Sequence, residues 1–532
     1  MATEKTNIYQ LIEHQAKTLG DKPFILFNDT VVSFSETYEM TCRAANGFIA
    51  QGARQGDGVA ILMKNCPEYL YFVYGVPRAG LYSVPVNTSL EGDELRYILT
   101  HADVRFLIVD DTLYPRIAEL RLPVGTIEKV FVRRTEIGDL PPGLSDISLL
   151  LEGTSQKPGY PISDNDISAI LYTSGTTSFP KGVVHRNRSS SRSEFFDLVD
   201  RCLLPDDVLF TVLPLHHSNA LKITFGMALA AGIPFGLEKH FDPSSFWHRV
   251  QHYGATVFNG LAGMLPNLLK QPQGNDDSDN TIRLVLSSGC PANTWEQFES
   301  RFGVTVWEIY SAVDIGGVMT LNSGNAPVGS VGKPINAEWH LVDEDGRDVP
   351  QGDCGELIVR NLDLSRGTVE YYKDLNTSRE KIRNGWVHTG DMFYTDKNGN
   401  LYFVDRKQDS IKLSGFSEEI SSTTIENAVM SYSGIEACAA GAVKTDDQTQ
   451  AVMVWVQPKK GANLDLKGLI LHCIENTAYF MVPRFIEVVN EIPVTGTLKI
   501  KKVEMIKNGI GASTWDRKKE MPELKLNPLY TI

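Results

Sequence analysis

Residues 172–182 read YTSGTTSFPKG and follow directly on an apolar run at residues 167–171. The apolar run predicts a strand, so the loop leaves the end of a strand. Hydroxyl groups, flexible glycines and one cation stand close together in this loop: Thr173, Ser174, Gly175, Thr176, Thr177, Lys181 and Gly182. Such donors and charge can surround a polyphosphate. On composition alone the alternative is a Ser/Thr-rich turn without a ligand. The Walker pattern, GxxxxGK followed by Ser or Thr, does not fit.

The sequence on the N-terminal side of this loop alternates between strands and helices. Residues 59–63 and 82–86 are apolar runs typical of buried strands, and residues 67–78 between them have the pattern of a helix. The alternation continues with a predicted helix at residues 91–100 and a predicted strand at residues 104–109. This order predicts an α/β fold in which helices cover layered, mostly parallel sheets.

Composition narrows the class of protein. A chain of 532 residues exceeds the size of a single hydrophobic core, so we expect two or more packed units. The net charge of −14 argues against a nucleic-acid partner. No basic-then-apolar start and no apolar run of bilayer length are visible, so we expect a cytoplasmic protein without a membrane span. The seven cysteines are scattered, without zinc-site spacing.

The string TSGTTSxPKG in the first loop resembles the signature TSGTTGxPKG of the adenylate-forming superfamily, which includes acyl- and aryl-CoA synthetases, luciferases and adenylation domains. Ser178 replaces the usual glycine, a feature reminiscent of the crotonobetaine/carnitine–CoA ligase branch. The resemblance implies a large N-terminal α/β domain and a small, mobile α+β C-terminal domain. A charged run follows the predicted strand at residues 401–404, and we place the boundary there, giving domains 1–407 and 408–532.

Five further segments stand in the order of this family, so the resemblance covers nearly the whole chain. They are LPLHHSNA at residues 213–220, SSGCP at 287–291, EIYSAVD at 308–314, WVHTGD at 386–391 and PVTGTLKI at 493–500. The resemblance places His217 at the border of the pocket for the acid, with Asn219, Lys222 and residues 314–319 in its lining. Without the family, His217 would be read as a strand-end histidine satisfied by backbone groups.

The same segments supply the residues expected around the nucleotide. By resemblance, Gly289 and Cys290 form the turn beneath adenine, and Tyr310 stacks on the purine. Asp391 would accept hydrogen bonds from both ribose hydroxyls, and Arg406 would contact the ribose as well. Taken alone, either of these last two residues could be a surface charge at a turn.

Departures from the family pattern concern the phosphates and the metal. Val313 replaces a threonine and cannot donate a hydrogen bond to the α-phosphate. Asp314 replaces the glutamate associated with Mg²⁺, with a side chain one methylene shorter. Leu498 replaces a glycine, whereas Lys499 matches the lysine of the adenylation step. Its alternative reading is one member of a basic surface run.

These matches predict an AMP-forming acid–CoA ligase that uses ATP, Mg²⁺ and CoA, with the acid left undetermined and a homodimer left open. Adenylation replaces an oxide leaving group by AMP and needs positioning and charge neutralisation. By resemblance, Gln408 would stand at the hinge between the two domains. Glu418 and Glu419 form an insertion in the loop expected to line the CoA tunnel. The alternatives are an amine, a carrier-protein thiol or oxygen as acceptor, or a ligase-derived acid-binding protein with impaired chemistry.

Overall fold

The computed structural model describes most of the chain. The described residues are 7–123, 125–136, 140–173, 180–188, 194–261, 263–315, 317–335, 337–361, 369–407, 409, 411–412, 419–445, 450–494, 500–524 and 526, with the backbone alone at 194–197, 361, 412 and 419. The chain forms two compact units. Unit one comprises Met1–Trp339 and Val359–His388, and unit two comprises His340–Ile358 and Thr389–Ile532.

The helices of the described residues are mostly short. They are Ile8–Leu19 (α1), Phe34–Ala50 (α2), Pro67–Gly75 (α3), Gly92–His101 (α4), Tyr114–Ala118 (α5), Ser148–Leu151 (α6), Glu194–Cys202 (α7), Met227–Ala231 (α8), Phe246–Tyr253 (α9), Met264–Leu269 (α10), Ala292–Phe302 (α11), Leu375–Lys381 (α12), Ser422–Met430 (α13), Leu466–Asn476 (α14), Lys502–Asn508 (α15) and Arg517–Glu520 (α16). Val76–Ala79 and Val313–Ile315 are 3₁₀ turns, and Ala220–Gly226 is a π-helix. No helix among the residues described above is long and apolar enough to cross a bilayer.

The strands fall into several sheets. They are Pro23–Phe27 (β1), Thr30–Ser33 (β2), Gly58–Leu62 (β3), Tyr82–Pro85 (β4), Val104–Asp110 (β5), Lys129–Arg133 (β6), Ser145–Asp146 (β7), Ile167–Thr173 (β8), Lys181–Arg186 (β9), Leu209–Thr211 (β10), Phe235–Leu237 (β11), Val257–Leu261 (β12), Leu284–Ser288 (β13), Thr305–Ala312 (β14), Gly317–Asn322 (β15), Lys333–Pro334 (β16), Ala337–Val342 (β17), Gly355–Asn361 (β18), Ile382–Arg383 (β19), Trp386–Thr395 (β20), Leu401–Arg406 (β21), Ile411–Lys412 (β22), Glu419–Ile420 (β23), Ile435–Lys444 (β24), Gln450–Pro458 (β25), Phe485–Val488 (β26) and Trp515–Asp516 (β27).

Unit one contains two large, mainly parallel sheets. The first has the order β16-β15-β14-β13-β12-β10-β11-β1-β2, with antiparallel pairs at its two edges. The second has the order β7-β6-β5-β3-β4-β8-β9, in which only the β8–β9 pair at one edge runs antiparallel. Strand β3 reads GVAIL and is buried at every position, as expected for a central parallel strand covered on both faces. The predicted α/β architecture is confirmed.

Local sequence signals account for where the helices of unit one begin and what they bury. Helix α2 starts with a capping box in which the Ser33 hydroxyl accepts from the Glu36 N–H at 3.1 Å and the Glu36 carboxylate accepts from the Ser33 N–H at 2.8 Å. Helix α4 places Leu95 and Leu99, four residues apart, against the apolar face of strands β3 to β5. The predicted strand-helix order between residues 59 and 109 therefore matches the observed elements.

Unit two is built around the long β24–β25 hairpin. Strand β26 lies parallel to β25, and β27 completes a four-stranded sheet. Helices α13 and α14 bury Val429, Leu469 and Ile470 in the core of this unit. The sequence from Trp515 onward shows little periodicity, yet this part of the chain forms β27 and α16. Trp515 and Asp516 form a strand because they pair with β26. A strand of two residues has no sequence pattern from which such a pairing could be predicted.

Candidate active site

The turn after β13 occupies a typical ligand position in unit one. Strands β12, β13 and β14 are parallel neighbours, and ligands of open α/β sheets bind outside the carboxyl ends of such strands. β13 is followed by Gly289 and Cys290, both predicted from the sequence to lie beneath adenine, and α11 begins at Ala292. Gly289 has φ of +85°, a conformation that residues with a Cβ adopt at a cost.

A buried acid that the sequence reasoning missed holds this turn. The carboxylate of Glu308 on β14 accepts hydrogen bonds from the backbone N–H groups of Gly289 and Cys290, the latter at 3.3 Å and 3.2 Å to its two oxygens. Burial raises the pKa of Glu308 from 4.5 to about 7. The hydrogen bonds from the two N–H groups act in the opposite direction but are the smaller effect. A charged side chain between the apolar residues Trp307 and Ile309 was the signal available in the sequence.

The predicted adenine-stacking residue lies beside this turn. Tyr310 is two residues beyond Glu308 on β14, so both side chains lie on the same face of the strand. Tyr310 is buried, with 9% of its surface exposed. The pairing with β15 changes register between Tyr310 and Ser311, at the point where β14 approaches its end. Hydrogen bonds therefore join the turn to the Glu308 carboxylate, and Tyr310 lies on the same face of the strand as that carboxylate.

The next predicted residue along the chain, Asp314, is engaged by two partners within unit one. Its Oδ2 accepts from the Tyr371 hydroxyl at 2.7 Å and lies 2.9 Å from the Lys381 ammonium nitrogen. Burial raises the pKa of the Tyr371 hydroxyl, and the negative charge of Asp314 acts in the same direction. Neither Tyr371 nor Lys381 was predicted, because both come from a segment distant in sequence.

Tyr371 also contacts the phosphate loop. The ammonium nitrogen of Lys181 lies 5.7 Å from the centroid of the Tyr371 ring, within the range of a cation–π contact. Tyr371 forms an isolated antiparallel bridge with Val183 on β9. Thr173 is the last residue of β8 and pairs with Lys181, and its hydroxyl lies 3.5 Å from the Lys181 carbonyl oxygen. The two ends of the predicted phosphate loop and Asp314 are thus gathered around one tyrosine.

The metal chemistry of Asp314 fits a magnesium ion shared with phosphates. Mg²⁺ in nucleotide sites is held by one or two protein carboxylates together with the phosphates of the substrate. A single carboxylate from the protein is therefore sufficient. Within the ranges that the structure describes, no group of three or more His, Cys, Asp or Glu side chains could hold a metal ion alone. The carboxylate of Asp314 is therefore the candidate protein ligand.

The predicted acid-pocket histidine lies where β10 leads into the π-helix. The His217 N–H donates to the Pro214 carbonyl at 3.0 Å, and the His217 ring lies 5.4 Å from that of His216. Burial lowers the pKa of His216 to about 3, and the charge of His217 acts in the same direction, so His216 is neutral at pH 7. π-Helices are rare and are frequently found at functional sites.

The π-helix carries further polar groups that the sequence assigned to the acid pocket. The side-chain nitrogen of Asn259 on β12 donates to Asn219 at 3.1 Å and to Thr224 at 2.8 Å. Burial lowers the pKa of His185 to about 3, and the charge of Lys222 lowers it further. Lys222 therefore lies close enough to the buried imidazole of His185 for its positive charge to influence the pKa of that ring.

Asp391 and Arg406, both predicted to contact ribose, are brought together in unit two. They are register partners on the antiparallel strands β20 and β21, with 3.8 Å between the Arg406 Nε and the Asp391 Oδ1. The preceding Gly390 has φ of +75°, and its N–H donates to Glu356 at 3.1 Å. This bond fixes the turn of the strand that presents Asp391.

Several predicted residues lie outside the described part of the chain. They are Ser174, Gly175, Thr176 and Thr177 of the phosphate loop, the catalytic candidate Lys499, the hinge residue Gln408 and the inserted Glu418. The backbone of Glu419 pairs with Lys412 between β22 and β23. The structure therefore places Gly289, Cys290 and Glu308 in one hydrogen-bonded group and Asp314, Tyr371 and Lys181 in another, and the roles of all the predicted residues remain predictions.

Comparison with known proteins identifies the family. Residues 12–369 match the family model of AMP-binding enzymes, and residues 424–499 match that of the AMP-binding enzyme C-terminal domain. The first match alone covers more than half of the chain. The chain belongs to the AMP-binding enzyme family, as the sequence motifs predicted.

Relatives with curated names narrow the class. A crotonobetaine/carnitine–CoA ligase of Salmonella paratyphi A is 30% identical over 514 residues, which cover 93% of this chain and 98% of the relative. One of Citrobacter koseri is 29% identical over 513 residues, with the same shares of both chains. The predicted class, an AMP-forming acid–CoA ligase, is confirmed, and ATP and CoA follow as co-substrates of the family.

Solved structures agree with the fold over nearly the whole chain. ATP-bound MatB from Rhodopseudomonas palustris superposes with a TM-score of 0.82 at 25% identity and covers 94% of this chain and 99% of its own. The anthranilate CoA ligase AuaEII, solved with anthranoyl-AMP, gives 0.83 at 22% identity, with coverages of 95% and 97%. The amide bond synthetase McbA from Marinactinospora thermotolerans gives 0.77 at 21%, with coverages of 94% and 99%. At these last two identities the likeness concerns the fold alone.

Proposed function

We propose that the chain adenylates a carboxylic acid at the cluster formed by Lys181, Asp314 and Tyr371, and then transfers the acyl group to CoA. The observation that carries the proposal is the position of Tyr371, whose ring lies under the Lys181 cation and whose hydroxyl donates to Asp314. Through this ring, the cation of the predicted phosphate loop and the predicted metal-binding carboxylate share one neighbourhood. Opposite charges at such a point are suited to a phosphate chain with its metal ion.

In the first half-reaction, a carboxylate oxygen of the acid attacks the α-phosphorus of ATP. The bond from that phosphorus to the bridging oxygen breaks, pyrophosphate leaves with the electron pair, and an acyl-adenylate remains. We assign Lys181 and Lys499 to the neutralisation of the phosphate charge and Tyr310 to the adenine ring. A magnesium ion held by Asp314 would supply further positive charge when bound. Asp391 and Arg406 take the ribose.

In the second half-reaction, the CoA thiolate attacks the carbonyl carbon of the adenylate. The carbon–oxygen bond to AMP breaks, AMP leaves, and the thioester forms. We propose that domains 1–407 and 408–532 rotate about Gln408 between the two steps, which would withdraw Lys499 and admit the thiol. The compact units of the structure change over between His388 and Thr389 and not at Gln408. The units reflect packing within one conformation, whereas a hinge is defined by rotation between two conformations.

The polar groups assigned to the acid pocket favour an acid that carries no positive charge. The relatives named above act on crotonobetaine and carnitine, which carry a quaternary ammonium group. Lys222, in the proposed lining, would repel such a cation. Asn219 is hydrogen-bonded to Asn259 and offers polar contacts to a substrate. Such contacts suit an acid that carries a hydroxyl group, an aromatic ring or a second carboxylate. We therefore propose a neutral or dicarboxylic acid as substrate.

A panel of acids tests this proposal, with AMP release and acyl-CoA formation scored in the presence and absence of CoA. We expect one acyl-CoA per AMP with at least one uncharged or dicarboxylic acid, and poor use of carnitine. The variant Lys222→Met should lower the discrimination against carnitine, whereas Lys333→Met, a change on β16, should not. AMP release without thioester, with acids that are adenylated well, would contradict the CoA assignment and favour another acceptor.

Two further properties accompany the proposal. The inserted Glu418 and Glu419 are expected to point to solvent, so their replacement by glutamine should leave the KM for CoA unchanged. If instead they face the CoA tunnel, the replacement should lower that KM in a salt-dependent way. A homodimer and a cytoplasmic location remain proposals, which light scattering on the purified protein and cell fractionation would test.

A further inference from the structure

Glu308 is a buried acid for which the reaction itself has no chemical use. It lies on β14, with 3% of its surface exposed, and its carboxylate accepts from the consecutive N–H groups of Gly289 and Cys290. No other side chain among the described residues is assigned a hydrogen bond to these two N–H groups. The conformation of the turn at the end of β13 therefore depends on this one carboxylate.

The strand geometry connects this carboxylate to the nucleotide residues. Ser287 and Glu308 are register partners on the parallel strands β13 and β14, which places the Glu308 side chain beside the end of β13. Tyr310 follows two residues later on the same face of β14. A ring stacked on Tyr310 would thus lie against a turn whose position is set by Glu308.

A neutral side chain could have satisfied the same two donors at a lower cost. An ionised carboxylate in a buried site loses much of its hydration, and only hydrogen bonds or opposite charges offset the loss. The Ser287 hydroxyl and the two N–H groups of the turn lower the pKa of Glu308, and no cation among the described residues acts on it. The titratable group beside it is the Cys290 thiol of the turn. Burial raises the pKa of the Cys290 thiol, and the charges of Glu308 and Glu299 act in the same direction. An acid retained in such surroundings indicates a use beyond packing.

We propose that Glu308 is a positioning residue for the nucleotide, because its carboxylate holds the Gly289–Cys290 turn in the conformation that receives the adenine ring. The inference rests on the proposed function, in which this turn lies beneath adenine. When Glu308 is ionised, both of its oxygens accept from the turn. When it is protonated, one oxygen becomes a donor and the hold on the two N–H groups weakens. Nucleotide affinity is therefore expected to increase as Glu308 loses its proton.

The experiment measures the KM for ATP and the Kd for AMP of the full-length protein between pH 6 and pH 8.5. In the parent, both constants should fall as the pH rises through about 7, the pKa to which burial raises Glu308. Glu308→Gln should abolish that part of the pH dependence. Glu308→Ala should raise the KM for ATP at pH 8 by roughly tenfold while changing kcat by less than about threefold, since it removes binding and not chemistry.

Glu299→Gln is the matched control. Glu299 is a neighbouring carboxylate that accepts a backbone N–H, from Val306 at 2.7 Å, without touching the turn. Each variant is compared with the parent as a ratio at every pH, which cancels the ionisation of the nucleotide itself. If Glu308→Ala does not fold, Glu308→Gln decides the question alone.

The outcomes separate this inference from the proposed function. An identical pH dependence of the two constants in parent and Glu308→Gln, or an ATP affinity of Glu308→Ala within twofold of the parent, would overturn the positioning role and leave adenylation intact. A parent that binds AMP without activating any acid would contradict the proposed function. The pH dependence of the Kd for AMP would still test the role of Glu308 in that case. A parent that binds neither nucleotide would overturn both.

Discussion

Replacing Glu308 by glutamine should change how the stability of the protein depends on pH. The pKa of Glu308 is raised by burial from 4.5 to about 7 in the folded state. Between these values the folded protein holds a proton that the unfolded chain has released, so the parent loses stability as the pH rises through this range. At about 1.4 kcal/mol per pH unit, the loss is about 3 kcal/mol. Glutamine does not titrate, so the variant avoids this loss.

The assay is thermal unfolding of parent and Glu308→Gln between pH 4.5 and pH 8.5. The change from one side chain to the other adds an offset that is the same at every pH, and only the pH-dependent part is diagnostic. For a unit of this size, about 3 kcal/mol corresponds to roughly 4 °C in Tm. The Tm of the variant minus that of the parent should therefore rise by about this amount as the pH increases, an increase that Glu299→Gln does not reproduce. A difference that stays constant, or that falls as the pH rises, would refute the reasoning about burial.

Three further predictions concern single residues. Lys499→Ala should abolish acid-dependent pyrophosphate exchange while the variant still converts a supplied acyl-adenylate and CoA to thioester, because the lysine neutralises charge only in the first step. Asp391→Ala should raise the KM for ATP by at least tenfold, because ribose hydroxyls are left unpaired in a desolvated site. Lys502→Met should destabilise unit two by about 3 kcal/mol in urea unfolding, because Lys502 pairs at 2.8 Å with Glu426 and the two side chains are only 15% and 16% exposed. Lys501→Met, which removes an exposed pair with Glu504, should cost less than about 1 kcal/mol.

Each of these predictions has an outcome that would count against it. Parent-like exchange by Lys499→Ala would remove that lysine from the adenylation step. An unchanged ATP dependence of Asp391→Ala would remove Asp391 from the nucleotide site. Equal losses of stability in the Lys501 and Lys502 variants would show that burial of the Lys502–Glu426 pair has no special weight.

Much of the fold could be predicted because local patterns and tertiary structure agree. The apolar strand at residues 59–63 and the helix whose first turn carries Asp93 and Glu94 were found from periodicity and charge alone. The short strand at Trp515 was missed because its order comes from pairing with β26. A pattern of two residues carries too little information to reveal such a pairing.

The candidate site residues also fall into two groups, those that belong to a local sequence motif and those whose contacts are distant in sequence. Tyr310, Gly289 and Asp391 could be predicted as site residues because each belongs to a contiguous string with a fixed residue order. Glu308 and Tyr371 could not, because their roles depend on contacts across 19 and 57 residues of sequence, to Gly289 and Asp314 respectively. A motif indicates which residues are candidates to contact a nucleotide, whereas the contacts that hold those residues in place are visible only in three dimensions.

The central claim is that a carboxylate oxygen of the acid becomes bonded to the α-phosphorus of ATP. The most direct test is one turnover with an acid that carries ¹⁸O at both carboxylate oxygens, followed by mass spectrometry of the products. Adenylation and transfer to CoA predict one ¹⁸O atom in AMP and one in the thioester, with none in pyrophosphate. Unlabelled AMP, or label in pyrophosphate or inorganic phosphate, would contradict the account.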